Sequence, residues 1–165
     1  MRRRRSVLIL LLVLIIFVVV VAALRFSLSA IPEPGKIETY VAGKFRHTLV
    51  SRSSRREQIP PAPVNLPASI EEGDKLYGTE CADCHGLDGK SPTDPGRWMY
   101  PRAANLISPE TQQYSDRDLF WIVKNGIRFS GMPAFGKVET EEHIWNLVHY
   151  LRKLPSGPDV ESEDK

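Results

Sequence analysis

Cys81-Ala82-Asp83-Cys84-His85 lies near the middle of a 165-residue chain and holds both of its cysteines. Two thiols separated by two residues can each form a thioether to a vinyl group of a haem. The histidine that follows at once then falls beneath the iron as proximal ligand. Three other uses of these residues are open. A redox dithiol of thioredoxin type wants the motif at the start of a helix that follows a strand; here a helical pattern ends at the motif and no βαβ pattern precedes it. A zinc site needs four ligands, and His143 or His149 would have to join Cys81, Cys84 and His85. A disulfide across two residues is strained. Two cysteines in this length exclude a disulfide framework.

A six-coordinate haem needs a second axial ligand, for which Met99, Met132, His143 and His149 are the candidates. Met132 is assigned. It sits in Gly131-Met132-Pro133-Ala134-Phe135, where small residues and Pro let the backbone approach a flat cofactor and hold a thioether rigidly. Met99, between Trp98 and Tyr100, reads as pocket wall or surface, and His143 and His149 as water-facing. A thioether is a poor donor to Fe(III), so such ligation raises the reduction potential relative to two histidines.

The flanking segments are helical. Ser69-Ile70-Glu71-Glu72 has capping-box form and predicts a helix from about Ile70 to Glu80 that delivers Cys81. Ser115 or Asp116 can cap a second, Arg117 to Asn125, that buries Leu119, Phe120, Ile122 and Val123 and ends at Gly126. Thr140 can cap a third, with Ile144, Leu147, Val148 and Leu151 as one apolar stripe before Pro155. No run alternates with period two. The expected fold class is all-α, with the haem filling much of the core that so short a domain lacks.

Residues 69–155 resemble a class I c-type cytochrome domain. Gly73 and Tyr77 precede Cys81 by eight and four residues, Leu147 and Tyr150 stand three apart near the carboxy terminus, and Gly131 to Phe135 is similar to that family's methionine loop. The resemblance implies that the first and last helices cross at Gly73. It also implies a Pro whose carbonyl accepts the ring N–H of His85 and fixes its orientation. Pro101 takes that role ahead of Pro92 and Pro95. Trp98, Trp121 and Trp145 are expected in the pocket wall or core, and Arg97, Arg102 and Arg128 as propionate partners or plain surface charges.

The rest of the chain is attachment. Val7 to Leu24 are 18 consecutive apolar residues behind Arg2–Arg5. As a helix they span roughly 27 Å, enough to cross a bilayer. The positive-inside rule keeps the arginines cytoplasmic. A cleaved signal peptide is the rival, but this run is longer than such peptides carry and lacks a well-placed small-x-small site. The expected organisation is an uncleaved anchor at 1–30, a basic Pro-rich linker at 31–68, the haem domain at 69–155 and an acidic tail at 156–165. Within the linker, Ile37, Tyr40, Val41, Phe45 and Leu49 recur at helical spacing. They fit an amphipathic helix on headgroups or a partner subunit. A solvated stalk with a disordered Ser/Arg stretch at Arg52, Arg55 and Arg56 fits as well.

Charge follows the same division. The net +2 and pI of about 8.6 come from five arginines in the first thirty residues and six Lys/Arg in the linker, while residues 69–165 carry 11 Lys/Arg against 17 Asp/Glu. The basic balance is therefore no sign of nucleic-acid binding.

The expectation is a single-pass protein of the bacterial inner membrane, its haem domain periplasmic. It carries one covalent haem c with His85 and Met132 as axial ligands and passes electrons between membrane-bound respiratory or dehydrogenase partners. No small-molecule substrate and no enzymatic activity are expected. The alternative is a cytochrome c subunit of a larger membrane oxidoreductase. An enzyme or gas sensor with an open sixth site is a further rival.

Overall fold

The computed structural model describes residues 2–25, 29–64, 67–90 and 93–154. The chain divides into two compact units, Met1–Pro32 and Glu33–Lys165. Among the described residues every regular element is helical. The expected acidic tail and Pro155 lie outside them.

The first unit is one helix, α1 (Arg2–Arg25). Its stretch Arg4–Ala22 has a mean hydropathy of 3.2 and is long and apolar enough to cross a membrane, as an anchor or as a signal sequence. A helix satisfies its own backbone groups, which is what a bilayer interior requires.

The second unit opens with α2 (Lys36–Arg56), followed by α3 (Pro67–Glu80). Pro67 lacks an N–H and has a φ suited to the first helical turn, so α3 begins ahead of the capping box expected at Ser69. The Ser69 hydroxyl instead reaches Asn146 Oδ1 at 2.5 Å and His149 Nδ1 at 2.8 Å. Three short helices come next or nearby: α4 (Ala82–His85), α5 (Asp94–Trp98) and α6 (Pro109–Gln112). Then come α7 (Asp116–Asn125), a single 3-10 turn at Phe135–Lys137, and α8 (Glu141–Leu151).

Ser115 caps α7 with a full capping box through Asp118. Thr140 caps α8, its hydroxyl accepting from the His143 amide at 3.2 Å. Helices α3 and α8 cross at Gly73, where an added Cβ would lie 2.1 Å from the Asn146 carbonyl oxygen. The missing side chain is what lets the two backbones meet. Tyr77 and Tyr150 pack beside the crossing with ring centroids 5.2 Å apart. The core is Tyr77, Leu119, Phe120, Val123, Ile144, Trp145, Leu147, Val148 and Leu151 with their neighbours. Two expectations change here, those for His149 and Trp98. His149 is 6% exposed and sits inside the α3–α8 contact. Trp98 is 75% exposed, whereas Trp145 is core as expected and packs at a tilt against Phe120.

The linker is ordered helix through Arg56, so the Ser/Arg stretch is not a disordered stalk. The face it buries within this unit is not the apolar stripe. Ile37, Tyr40, Val41, Phe45 and Leu49 stay exposed. Val50 and Ser54 are buried instead, because a carboxylate on α7 offers better partners than any apolar surface nearby. Ser51 and Ser54 both donate to Asp118, Ser51 at 3.2 Å. Arg117 donates to the carbonyls of Ser54, at 2.9 Å, and Glu57. Glu57 in turn pairs with Lys124 at 3.0 Å.

Candidate haem site

Helix α3 ends at the attachment motif, and the chain turns straight into α4, with the amides of Cys84 and His85 bonded to the Cys81 carbonyl at 3.1 and 3.0 Å. Both thiols and the imidazole thereby lie on one wall of a cavity of about 340 Å³. Leu119, Ile122 and Val123 of α7, with Ile127 and Phe135, make an apolar wall, and Met132 and Met99 line it as well.

The His85 Nδ1 atom lies 2.8 Å from the Ala104 carbonyl oxygen. A carbonyl can only accept, so Nδ1 carries the proton and Nε2 keeps the lone pair a metal needs. The acceptor is thus Ala104 and not Pro101. Pro101 still lines the cavity, but the segment is pinned by other bonds, Ala103 to the Gly96 carbonyl at 2.9 Å and Leu106 to the Gly89 carbonyl at 2.8 Å. Those bonds bring the Ala104 carbonyl to the ring. Burial pushes the His85 pKa down, partly offset by the Ala104 bond, which favours the neutral, ligating imidazole.

Met132 sits in a loop closed on itself. The Met132 amide donates to Ser130 Oγ at 3.2 Å, and the Ser130 hydroxyl donates to the Ile127 carbonyl at 2.7 Å. Gly126 has a φ of 66°, and a Cβ there would lie 2.7 Å from the Pro133 carbonyl. A side chain at this position would push the methionine segment away. Met99 packs against the same loop, its Sδ 2.2 Å from where a Gly131 Cβ would stand. Both thioethers are therefore at the cavity. His143 and His149 are not among its lining residues; His143 bonds Glu139 at 2.7 Å.

The donor chemistry fits a covalently attached haem. Both cysteines are free thiols. Burial pushes the Cys81 thiol up to about 12, with the neighbouring charges of Glu80, Cys84 and Glu139 adding to it. A redox dithiol needs a depressed thiol pKa, so the thioredoxin-type use is disfavoured. Among the described residues no three of His, Cys, Asp or Glu converge as a metal centre, which disfavours zinc.

Two arginines stand at this cavity, Arg102 and Arg46. Arg97 instead pairs with Asp94 one turn away, and Arg128 is exposed and outside the lining. Arg46 was not legible as a site residue, because nothing in its neighbourhood announces that α2 would fold back beside the cavity.

A family profile described as cytochrome c oxidase, cbb3-type, subunit III matches residues 68–151. Quinohemoprotein alcohol dehydrogenase ADH-IIG of Pseudomonas putida is 33% identical over 94 residues, 57% of this chain; the aligned segment is only 12% of that protein's length. A solved Kuenenia stuttgartiensis reducing HAO-like protein complex contains a chain similar at a TM-score of 0.43 and 22% identity, over 59% of this chain and 49% of that one.

Proposed function

This chain belongs to the cytochrome c family described as cytochrome c oxidase, cbb3-type, subunit III, and we propose that it is a membrane-tethered electron carrier whose one covalent haem c is held axially by His85 and Met132. The observation that carries this reading is the shared cavity of Cys81, Cys84, His85 and Met132, with the His85 Nδ1–H committed to the Ala104 carbonyl.

When bound, haem supplies one-electron exchange between Fe(II) and Fe(III). The chain's residues do the rest. Cys81 and Cys84 hold the ring by thioethers, and His85 presents Nε2. Met132, on its hydrogen-bonded loop, would supply the second iron ligand and so keep small molecules off the metal. The apolar wall excludes water, which favours the less charged reduced state. Helix α1 holds the domain at the membrane face opposite its amino-terminal arginines, raising its effective concentration near membrane-bound redox partners. The acidic balance of residues 69–165 suits a basic docking patch.

The family's description favours a second reading, a subunit of a terminal oxidase. Stoichiometric co-purification with partner chains after mild detergent extraction supports the subunit; a lone chain supports the free carrier.

The test is the absorption spectrum of the oxidised and reduced protein. A weak near-infrared band marks sulfur bound to Fe(III). Met132→Ala abolishes that band, opens the reduced protein to carbon monoxide and lowers the potential, while Met99→Ala leaves all three unchanged. A band that survives Met132→Ala and vanishes in Met99→Ala assigns the ligand to Met99 and overturns the proposal.

A further inference from the structure

The family match begins at residue 68, so α2 lies wholly outside it, yet α2 is bound to the haem domain along its length. At its carboxy-terminal end stands the Asp118 cluster already described. In its middle, His47 stacks on Tyr114 with centroids 4.7 Å apart, and Tyr114 itself lines the cavity. At its amino-terminal end Glu38 accepts from the Tyr100 hydroxyl, and just before it Glu33 pairs with Arg102 at 2.6 Å. A helix fastened at Tyr114 and at Tyr100–Arg102 brings one of its residues, Arg46, to the lining of the cleft.

That edge is where the cavity has its cations. The charged or titratable side chains at the cavity, the cysteines and tyrosine aside, are Arg46, Arg102, Glu80, Glu110 and His85. Arg102 is shared with Glu33. Among the described residues no hydrogen bond or ion pair engages Arg46, although it stands one residue from the anchored His47. Arg46 is exposed and lines an apolar cleft, where a guanidinium is a fork-shaped donor for a carboxylate. Haem carries two carboxylates on one edge and none on the others.

We propose that α2 is a wall of the haem cleft and that Arg46, together with Arg102, binds the haem carboxylates, with Glu33 competing for Arg102. This rests on the haem reading above. Arg46 would act as a positioning and charge-setting residue: it orients the cofactor edge, holds the carboxylates ionised and raises the potential by disfavouring Fe(III).

The experiment is a redox titration against pH on the full-length chain in detergent, followed by visible absorbance, with covalent haem checked by acid–acetone extraction. In Arg46→Gln the potential falls on the alkaline plateau, and the inflection that marks carboxylate ionisation moves up by about one pH unit, as loss of a nearby opposite charge requires. Arg46→Lys, which keeps the charge, restores most of both shifts. Glu33→Gln, which frees Arg102, moves the potential the opposite way, upward. A merely structural role for Arg46 would move stability without this pH signature. Arg46→Gln with full haem content and the parental potential and inflection overturns the inference and leaves the haem reading standing. Failure of the parent chain to hold haem covalently overturns both.

Discussion

Helices α8 and α2 both carry apolar residues at helical spacing, a strong stripe in α8 and a weak one in α2, and use them in opposite ways. In α8, Ile144, Leu147, Val148 and Leu151 all go into the core. In α2, Ile37 is 81% and Phe45 64% exposed, and the helix docks instead through serines on a buried carboxylate. An apolar stripe records a preference for leaving water; whether it is satisfied depends on another element arriving with a matching surface. Helix α3 arrives at α8 because Gly73 permits a close crossing. Against α2, helix α7 presents Asp118, Arg117 and Lys124, and specific polar bonds decide which face is covered.

The difference should be measurable as a graded series. Leu147→Ala removes a fully buried side chain at the α3–α8 crossing and should cost about 2–5 kcal/mol, read from denaturant unfolding of the haem-loaded protein. A cost below about 1 kcal/mol would mean that α8 is not the core element described here.

The α2 junction should respond less to truncation and more to pH. Burial raises the Asp118 pKa, but hydrogen bonds from Ser54, Ser115 and Ser51 more than offset it and hold the carboxyl below its ordinary value. The unfolded chain then binds the proton more readily than the folded one. This contribution is fully present above the usual carboxylate range and is lost as pH falls through the lowered value. Ser54→Ala leaves the carboxylate short of one charge-assisted bond and should cost about 1.5–3 kcal/mol. Amide hydrogen exchange should show α2 losing protection in acid before α8 does, and earlier still in Ser54→Ala. Simultaneous loss in both helices would show that the two regions are one cooperative unit.

The smallest effect belongs to the exposed stripe. Phe45→Ser should change unfolding free energy by no more than about 0.5 kcal/mol. A loss comparable to that of Leu147→Ala would place this face in a core.

The attachment motif, the helix that delivers it and the α7 and α8 caps were legible in the sequence, because each depends on residues close in the chain; the crossing at Gly73 was expected from the family resemblance. The less legible features depended on distant backbone. The carbonyl that holds His85 belongs to Ala104 because Gly96 and Gly89 pin that segment from afar, and a proline-centred expectation could not see those bonds. His149 was expected in water because its helix position lies beside the apolar stripe. It is buried because α3 starts early and brings Ser69 to it.

By itself the sequence determined the residue types and their spacing: two thiols and an imidazole in one short motif, a methionine in a loop of small residues and proline, a helical class and a leading apolar segment. Those are properties of residue type and of short-range geometry. Only the tertiary structure decided which carbonyl orients the imidazole, that Met99 stands beside Met132 at the cavity, and that α2 returns to place Arg46 there. These depend on distances between segments far apart in the chain, set by packing and by a buried carboxylate's demand for partners, which no local pattern encodes.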